Sequence, residues 1–289
     1  MTSSHSAYEI RDPQVLVSPV VFASPHSGRD YNDDFLKSSV LDASAIRSSE
    51  DAYVDQLLDF VPEMGAPLLL AKAPRAYVDM NRASDELDPA LINDVHCSAQ
   101  NPRVISGLGV IPRVVSNARP IYRGKISKHD ALARIDQYWT PYHRALQRLL
   151  ARAHALFGYF VLIDMHSMPH DAVAHLGKPN HEIDVVLGDR YGASADIFLG
   201  DLIEQAFESE GFRVSRNVPF AGAYITQRYG QPGQSKHVVQ VEIDRTLYLD
   251  EGDVRPSESF DNMKARLKAV LAKVIEETAQ SSANRLAAE

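Results

Sequence analysis

Apolar and polar positions along the chain fall into short blocks that read alternately as strand and helix. Residues 15–23 form an apolar, β-branched run that stops at Ser24-Pro25-His26-Ser27-Gly28, a buried strand ending in a turn. Residues 50–60 set Ala52, Val54, Leu57, Leu58 and Phe60 at helical spacing. Ser48 or Ser49 would cap that helix, with the acids Glu50 and Asp51 in its first turn. Residues 67–72 and 77–80 have the composition of short strands. Residues 83–120 lack periodicity, which predicts a long irregular segment of the kind that serves as a lid or binding loop. Residues 128–157 read as one long helix, interrupted near Thr140-Pro141 because proline cannot donate to the preceding turn.

The second half repeats the alternation. Residues 159–163 are the clearest strand and run into Asp164-Met165-His166-Ser167-Met168-Pro169. Strands follow at 183–187, 212–216 and 237–243. Helices are expected at 193–209, closed by Gly211, and at 257–279, with a Gly-rich loop at 219–233. Residues 1–13 and 280–289 are expected to be flexible ends. Strands that are apolar throughout, alternating with helices, predict a three-layer α/β fold. Its central sheet would be mostly parallel or mixed, with helices on both faces. No repeat or linker interrupts residues 1–289, which predicts a single catalytic domain.

Composition narrows the partners. With 45% hydrophobic and 24% charged residues the chain is ordinary for a globular protein. A formal net charge of −8 argues against nucleic acid, which selects basic faces. A small anionic substrate stays open, because a few local arginines outweigh the mean field. Cys97 is the single cysteine, so a disulfide within the chain and a thiolate-rich metal site are both excluded. No apolar stretch has signal-peptide or membrane-spanning character, so the expectation is a cytoplasmic protein without a membrane partner.

Ligands of open α/β sheets bind beyond the carboxyl ends of the strands. Three such ends carry polar residues: His26 with Ser27 and Gly28, Asp164 with His166 and Ser167, and Glu242 with Asp244 and Arg245. Two histidines and a carboxylate are a common catalytic zinc set, and another divalent ion would accept the same donors. Glu50 and Asp51 are the nearest candidates for the carboxylate. Plainer roles compete: a strand-end histidine is more often structural, acids at a helix start complement its dipole, and Asp164 could cap a turn. Glu242, between Val241 and Ile243, needs either a structural partner such as Arg245 or a chemical role.

The ordered motifs resemble the N-formylglutamate amidohydrolase family. They are Pro25-His26-Ser27-Gly28, the stretch from Glu50 through Asp55, and Pro74-Arg75-Ala76-Tyr77-Val78-Asp79-Met80-Asn81-Arg82. Pro141-Tyr142-His143, Asp164-Met165-His166-Ser167, the Phe220-to-Thr226 loop and the Val241-to-Tyr248 stretch complete the set. The resemblance implies a phosphorylase/hydrolase-like fold related to zinc carboxypeptidases. It also implies cleavage of an N-formyl or related N-acyl amino acid, with a place in histidine catabolism suggested by the family's name. It assigns the metal to His26, Asp51 and His166, and general base duty to Glu242. Arg75, Arg82 and Asn81 would bind substrate carboxylates, Gly222 and Tyr224 would close over the substrate, and His143 would share the oxyanion's charge. Asp164 and Ser167 would support the ligands from behind. Arg29 stands where carboxypeptidases place a glutamate three residues after the histidine. Ala52 and Ala223 replace the family's tryptophan and second glycine, changes that bear on the substrate. Alternative readings are a carboxypeptidase-like or other N-acyl deacylase, or a non-catalytic binding protein on the same fold.

Overall fold

The computed structural model describes residues 6–96, 101–176 and 182–286, the last four by their backbone. The strands are β1 (Tyr8–Arg11), β2 (Val20–Ser24), β3 (Leu68–Ala71), β4 (Val114–Val115), β5 (Arg119–Pro120), β6 (Phe160–Met168), β7 (Val185–Gly188), β8 (Val214–Arg216), β9 (Lys236–Asp244), β10 (Leu249–Asp250) and β11 (Arg255–Pro256). The helices are α1 (Asp33–Ser38), α2 (Val54–Leu57), α3 (Pro102–Ile105), α4 (Lys128–Arg134), α5 (Thr140–Phe157), α6 (Ile197–Ser209), α7 (Tyr224–Tyr229) and α8 (Phe260–Leu286). Seven strands form one mixed sheet in the order β1-β3-β2-β6-β9-β7-β8. This is the expected α/β architecture. β6 runs parallel to β2 and to β9, and β7 runs antiparallel to β9. No helix among the described residues is long and apolar enough to cross a membrane.

The chain forms two compact units. One comprises Met1–Glu9, Pro25–Ala52 and Leu70–Ala145; the other comprises Ile10–Ser24, Tyr53–Leu69 and Leu146–Glu289. The second unit holds the central strands. Every residue of β2 and β6 is buried, as their continuous apolar runs require. Helices α6 and α8 pack together there. In the first unit, Phe35, Ile46, Ala76, Val115 and Ile121 form a core flanked by Tyr31, Tyr77 and Tyr122. The Arg134 guanidinium lies 4.2 Å from the Tyr77 ring centroid and donates to the Tyr122 hydroxyl at 2.6 Å, so its buried charge is met by ring faces and oxygen.

Several expectations need correction. The predicted helix over 50–60 is only α2, because Tyr53 adopts a left-handed conformation (φ 62°) and breaks the helix ahead of it. Glu50 and Asp51 therefore sit in the connection before α2 rather than in its first turn. Residues 77–80 form a turn, not a strand: Tyr77 and Val78 N–H both donate to the Pro74 carbonyl. The strand expected at 159–163 extends through Met168, which puts His166 on the strand itself. The loop at 219–233 contains α7. Within the stretches expected to be flexible ends, residues 8–11 form β1 and α8 runs to Leu286. The segment expected to be irregular at 83–120 is mostly loop but carries α3, β4 and β5 and buries Leu91, Ile92, Val110 and Ile111; within it Cys97 lies outside the described residues while His96 is exposed.

The long helix is interrupted where proline predicts. Between α4 and α5 the residues Ile135–Trp139 form a π-helical turn, and the Thr140 N–H reaches back five residues to the Ile135 carbonyl. Pro141 has no N–H to donate to residue 137, and the widened turn absorbs the missing bond.

Gly28 ends the turn after β2 against the backbone that follows β3. A Cβ there would lie 2.3 Å from the Ala73 carbonyl oxygen and 2.7 Å from that of Lys72. Backbone cannot swing aside as a flexible side chain would. Gly28→Ala is therefore expected to destabilise the fold by about 1–3 kcal/mol, read as a lowered denaturant midpoint with an unchanged slope; an unaltered midpoint would show that the turn has room.

Candidate metal centre

Two neighbouring acids compete for one role, and their surroundings separate them. Glu50 is buried and engaged: Tyr31 Oη donates to its Oε1 at 2.6 Å, and Arg47 donates through Nε and an Nη at 3.1–3.2 Å. Burial and the Glu50 charge push the Tyr31 hydroxyl well above its usual range, so it remains a donor. Asp51 turns the other way. Its N–H donates to the His26 carbonyl at 3.1 Å, and its Oδ2 lies 3.4 Å from His26 Nδ1. The ion pair with Arg47 makes Glu50 a structural acid and leaves Asp51 facing the histidine.

His26 is oriented from its other side. Its Nε2 is 2.8 Å from Asp79 Oδ1. Asp79 also accepts from the Asn81 N–H at 2.8 Å and from Arg75 Nε at 3.0 Å, and Arg82 Nε stands 4.0 Å away. Burial alone would push the Asp79 carboxyl up. The charges of His26, Arg75 and Arg82 outweigh it and hold the carboxyl well below the usual range. In the sequence Asp79 is legible only as a member of the 74–82 motif. The spacing Arg-x-x-x-Asp-x-Asn-Arg was its available signal, yet nothing in spacing ties it to a histidine 53 residues away.

On the sheet, parallel β2 and β6 pair Ala23 with Asp164. Following each strand onward leads to His26 on one chain segment and His166 on the other. His166 Nε2 lies 3.0 Å from Asp164 Oδ2, the contact expected from their two-residue spacing on a strand. Among the described residues, His26, Asp51 and His166 form a buried group in which each offers one ligand atom within 4.8 Å of the others. Their chemistry fits a divalent metal: two imidazoles, one carboxylate and no thiolate. Each imidazole has Nε2 against a carboxylate, so Nδ1 is the nitrogen that would face an ion, with Asp79 and Asp164 fixing the tautomers from behind.

The β9 strand continues the polar face. His166 pairs with Glu242 and Asp164 with Gln240, so these four side chains share one side of the sheet. Gln240 Nε2 donates to Glu242 Oε1 at 2.8 Å, and its own Oε1 accepts the Ala223 N–H at 3.0 Å. Ser167 points to the opposite side, where Arg245 Nε donates to its hydroxyl at 3.2 Å. The structure thus gives Ser167 an arginine contact, and Arg245, the structural partner considered for Glu242, is engaged at Ser167. In the loop, the positive φ (111°) falls on Gly222. Ala223 sits at φ −117°, a value any residue adopts, so the Gly-to-Ala departure leaves the backbone unstrained. Tyr224 opens α7 and is half-buried.

The π-helical turn has a consequence at the Asn81–Arg82 segment. Trp139 Nε1 donates to the Arg82 carbonyl at 2.9 Å, and His143 Nε2 donates to the Met80 carbonyl at 2.9 Å. The two rings lie with centroids 4.0 Å apart and planes tilted by 39°. Arg82 is itself buried and donates to the Leu108 and Asn81 carbonyls. The irregular 83–120 segment supplies that acceptor and also takes the Asp79 N–H at Val110. Arg75 is the more open of the two arginines, with a quarter of its side chain exposed. The sequence did not single out Trp139 or Gln240; each is an ordinary apolar or polar residue until the fold aims it.

Comparison with known proteins agrees with the motifs. The family model described as N-formylglutamate amidohydrolase matches residues 18–249. The N-formylglutamate deformylase of Pseudomonas aeruginosa is 34% identical over 236 residues, covering 81% of this chain and 83% of that protein. The enzyme of the same name from Pseudomonas putida is 29% identical over 81% of this chain and 82% of its own length. The crystal structure of N-formylglutamate amidohydrolase from Ralstonia eutropha JMP134 has a TM-score of 0.88 at 33% identity, covering 95% of this chain and 99% of that one.

Replacing single acids tests the division of labour. Asp79→Asn is expected to weaken zinc binding about 10–100-fold, measured by competition with a chelator of known affinity. Glu50→Gln should leave zinc affinity within about twofold while lowering the melting temperature. Zinc affinity lost in Glu50→Gln would make Glu50 a ligand, and an unchanged affinity in Asp79→Asn would remove Asp79 from the support of His26.

Proposed function

The chain belongs to the N-formylglutamate amidohydrolase family, and from that premise we propose that it is a metal-dependent enzyme hydrolysing N-formyl-L-glutamate to formate and glutamate. The observation that carries the metal dependence is the buried His26–Asp51–His166 group with a carboxylate behind each imidazole. His26, Asp51 and His166 would hold the ion, with zinc the best match to two imidazoles and a carboxylate. When bound, such an ion supplies a water of lowered pKa and polarises a carbonyl.

The chain's own residues would do the rest. Glu242, paired in register with His166, would take the proton of the attacking water and pass it to the leaving amine nitrogen. His143 donates through Nε2 to Met80, so its neutral ring presents Nδ1 as an acceptor. It would orient a water or substrate proton in that form, and would steady an oxyanion only as imidazolium. Arg75, held by Asp79 yet partly open, is suited to a substrate carboxylate, since a planar guanidinium binds carboxylates in bidentate fashion. Arg82 and Asn81 would shape the same wall, with Gly222 and Tyr224 covering the substrate. An anionic small molecule as substrate, a cytoplasmic setting and a role in histidine catabolism follow from this reading.

Formate release from N-formyl-L-glutamate, measured before and after chelation and zinc add-back, tests it. Activity lost on chelation and restored by zinc is expected. A fully metallated protein that releases no formate would reject this substrate and favour another N-acyl amino acid. Glu242→Gln should keep zinc and lose about 10²–10⁴-fold in turnover; near-normal turnover would remove Glu242 from the base role. Arg75→Lys is expected to raise KM for N-formyl-L-glutamate about tenfold more than for N-formyl-L-leucine. Equal rises would assign Arg75 to structure.

A further inference from the structure

Gln240 is a buried polar residue that the proposed chemistry leaves without a role. It is 4% exposed and stands two residues before Glu242, on the same side of β9. A buried carboxamide must satisfy both its ends, and here the two ends reach different functional parts. The carbonyl oxygen accepts the Ala223 N–H at 3.0 Å, and the amide nitrogen donates to Glu242 Oε1 at 2.8 Å. Ala223 lies between Gly222, with its positive φ, and Tyr224, the first residue of α7. The turn is tied down on the upstream side as well, where the Arg190 N–H donates to the Ala221 carbonyl at 2.8 Å.

We infer that Gln240 is a positioning residue that couples the Gly222–Tyr224 turn to Glu242, so that one carboxamide sets both the substrate-covering turn and the orientation of the base. The inference rests on the roles proposed above for Glu242 and for the turn. The orientation of the amide is fixed by its partners. A backbone N–H can only donate, so Oε1 must face Ala223, and Nε2 is then the end that meets Glu242. Because the donor is an amide and the acceptor a carboxylate, the contact is charge-assisted and fixes the position of Glu242 Oε1. A shift of the turn moves Gln240, and with it the carboxylate.

Two substitutions divide the contacts. Gln240→Met keeps length and bulk and loses both. Gln240→Glu keeps an acceptor for the Ala223 N–H and loses the amide donor to Glu242. In both variants kcat for formate release is expected to fall at least about tenfold. KM should rise about threefold or more in Gln240→Met alone. Hydrogen exchange over residues 219–229 provides a readout independent of turnover: it should quicken in Gln240→Met and stay as in the wild type in Gln240→Glu. A merely structural role would instead give both variants the same exchange and the same KM. That result, or a Gln240→Met enzyme with kcat within about twofold of wild type, would overturn the inference. Glu242→Gln measured beside them separates the two ideas. If Glu242→Gln is inactive and the Gln240 variants are normal, the base stands and the coupling falls. If Glu242→Gln turns over normally, both fall.

Discussion

The first unit is organised around one buried carboxylate. Asp79 is 2% exposed, and an ionised acid in that position is costly unless its oxygens are fully used. They are: one accepts from the His26 ring and the Asn81 N–H, the other from Arg75 with Arg82 nearby. The Asp79 N–H is also spent, on the Val110 carbonyl of the irregular segment. Removing His26, Arg75 or Arg82 would leave the charge under-compensated, while the 83–120 segment holds the backbone of the same residue. The long segment without periodicity is therefore more than a surface loop. It supplies the carbonyls that a buried, arginine-rich turn needs.

The second unit solves a similar problem with a sheet. The period of two along a strand places Asp164 and His166 on the same side of β6, and parallel register sets Gln240 and Glu242 beside them on β9. The intervening Met165 and Val241 face the other way into apolar packing. One side of two largely buried strands can be polar because each of its groups has a hydrogen-bonding neighbour. This is also why β6 extends further than its apolar run: once the polar residues are paired, nothing stops the ladder at Asp164.

Much of this was readable from sequence, and the failures share a cause. Apolar β-branched runs announced β2, β6 and β9, and the alternation of elements announced the α/β class. His26 and His166 were found because they follow such runs. Residues 77–80 have a β-branched and aromatic composition that suits a strand, yet the Asp79 carboxylate and the Pro74 carbonyl fold them into a turn. Periodicity carried the helix too far back over Glu50 and Asp51, because it does not register a single left-handed residue at Tyr53. Glu50 and Asp51 were indistinguishable by type, and only Arg47 and Tyr31 separate them. In each case a specific polar contact or a single backbone conformation outweighed a local preference.

The wide turn before Pro141 shows how a local defect becomes positional information. A regular α-helix rotates about 100° per residue, so one added residue in a turn shifts everything beyond it around the axis. Trp139, the last residue of the π-helical turn, and His143, one turn into α5, then reach carbonyls two residues apart, those of Arg82 and Met80. Both carbonyls belong to the segment whose side chains surround Asp79. The proline that breaks the hydrogen-bond ladder thereby lets two aromatic N–H groups hold the backbone that carries the arginines. Straightening that turn would release those two carbonyls, so the cost of the defect to the helix is offset in the buried turn around Asp79 rather than in the helix.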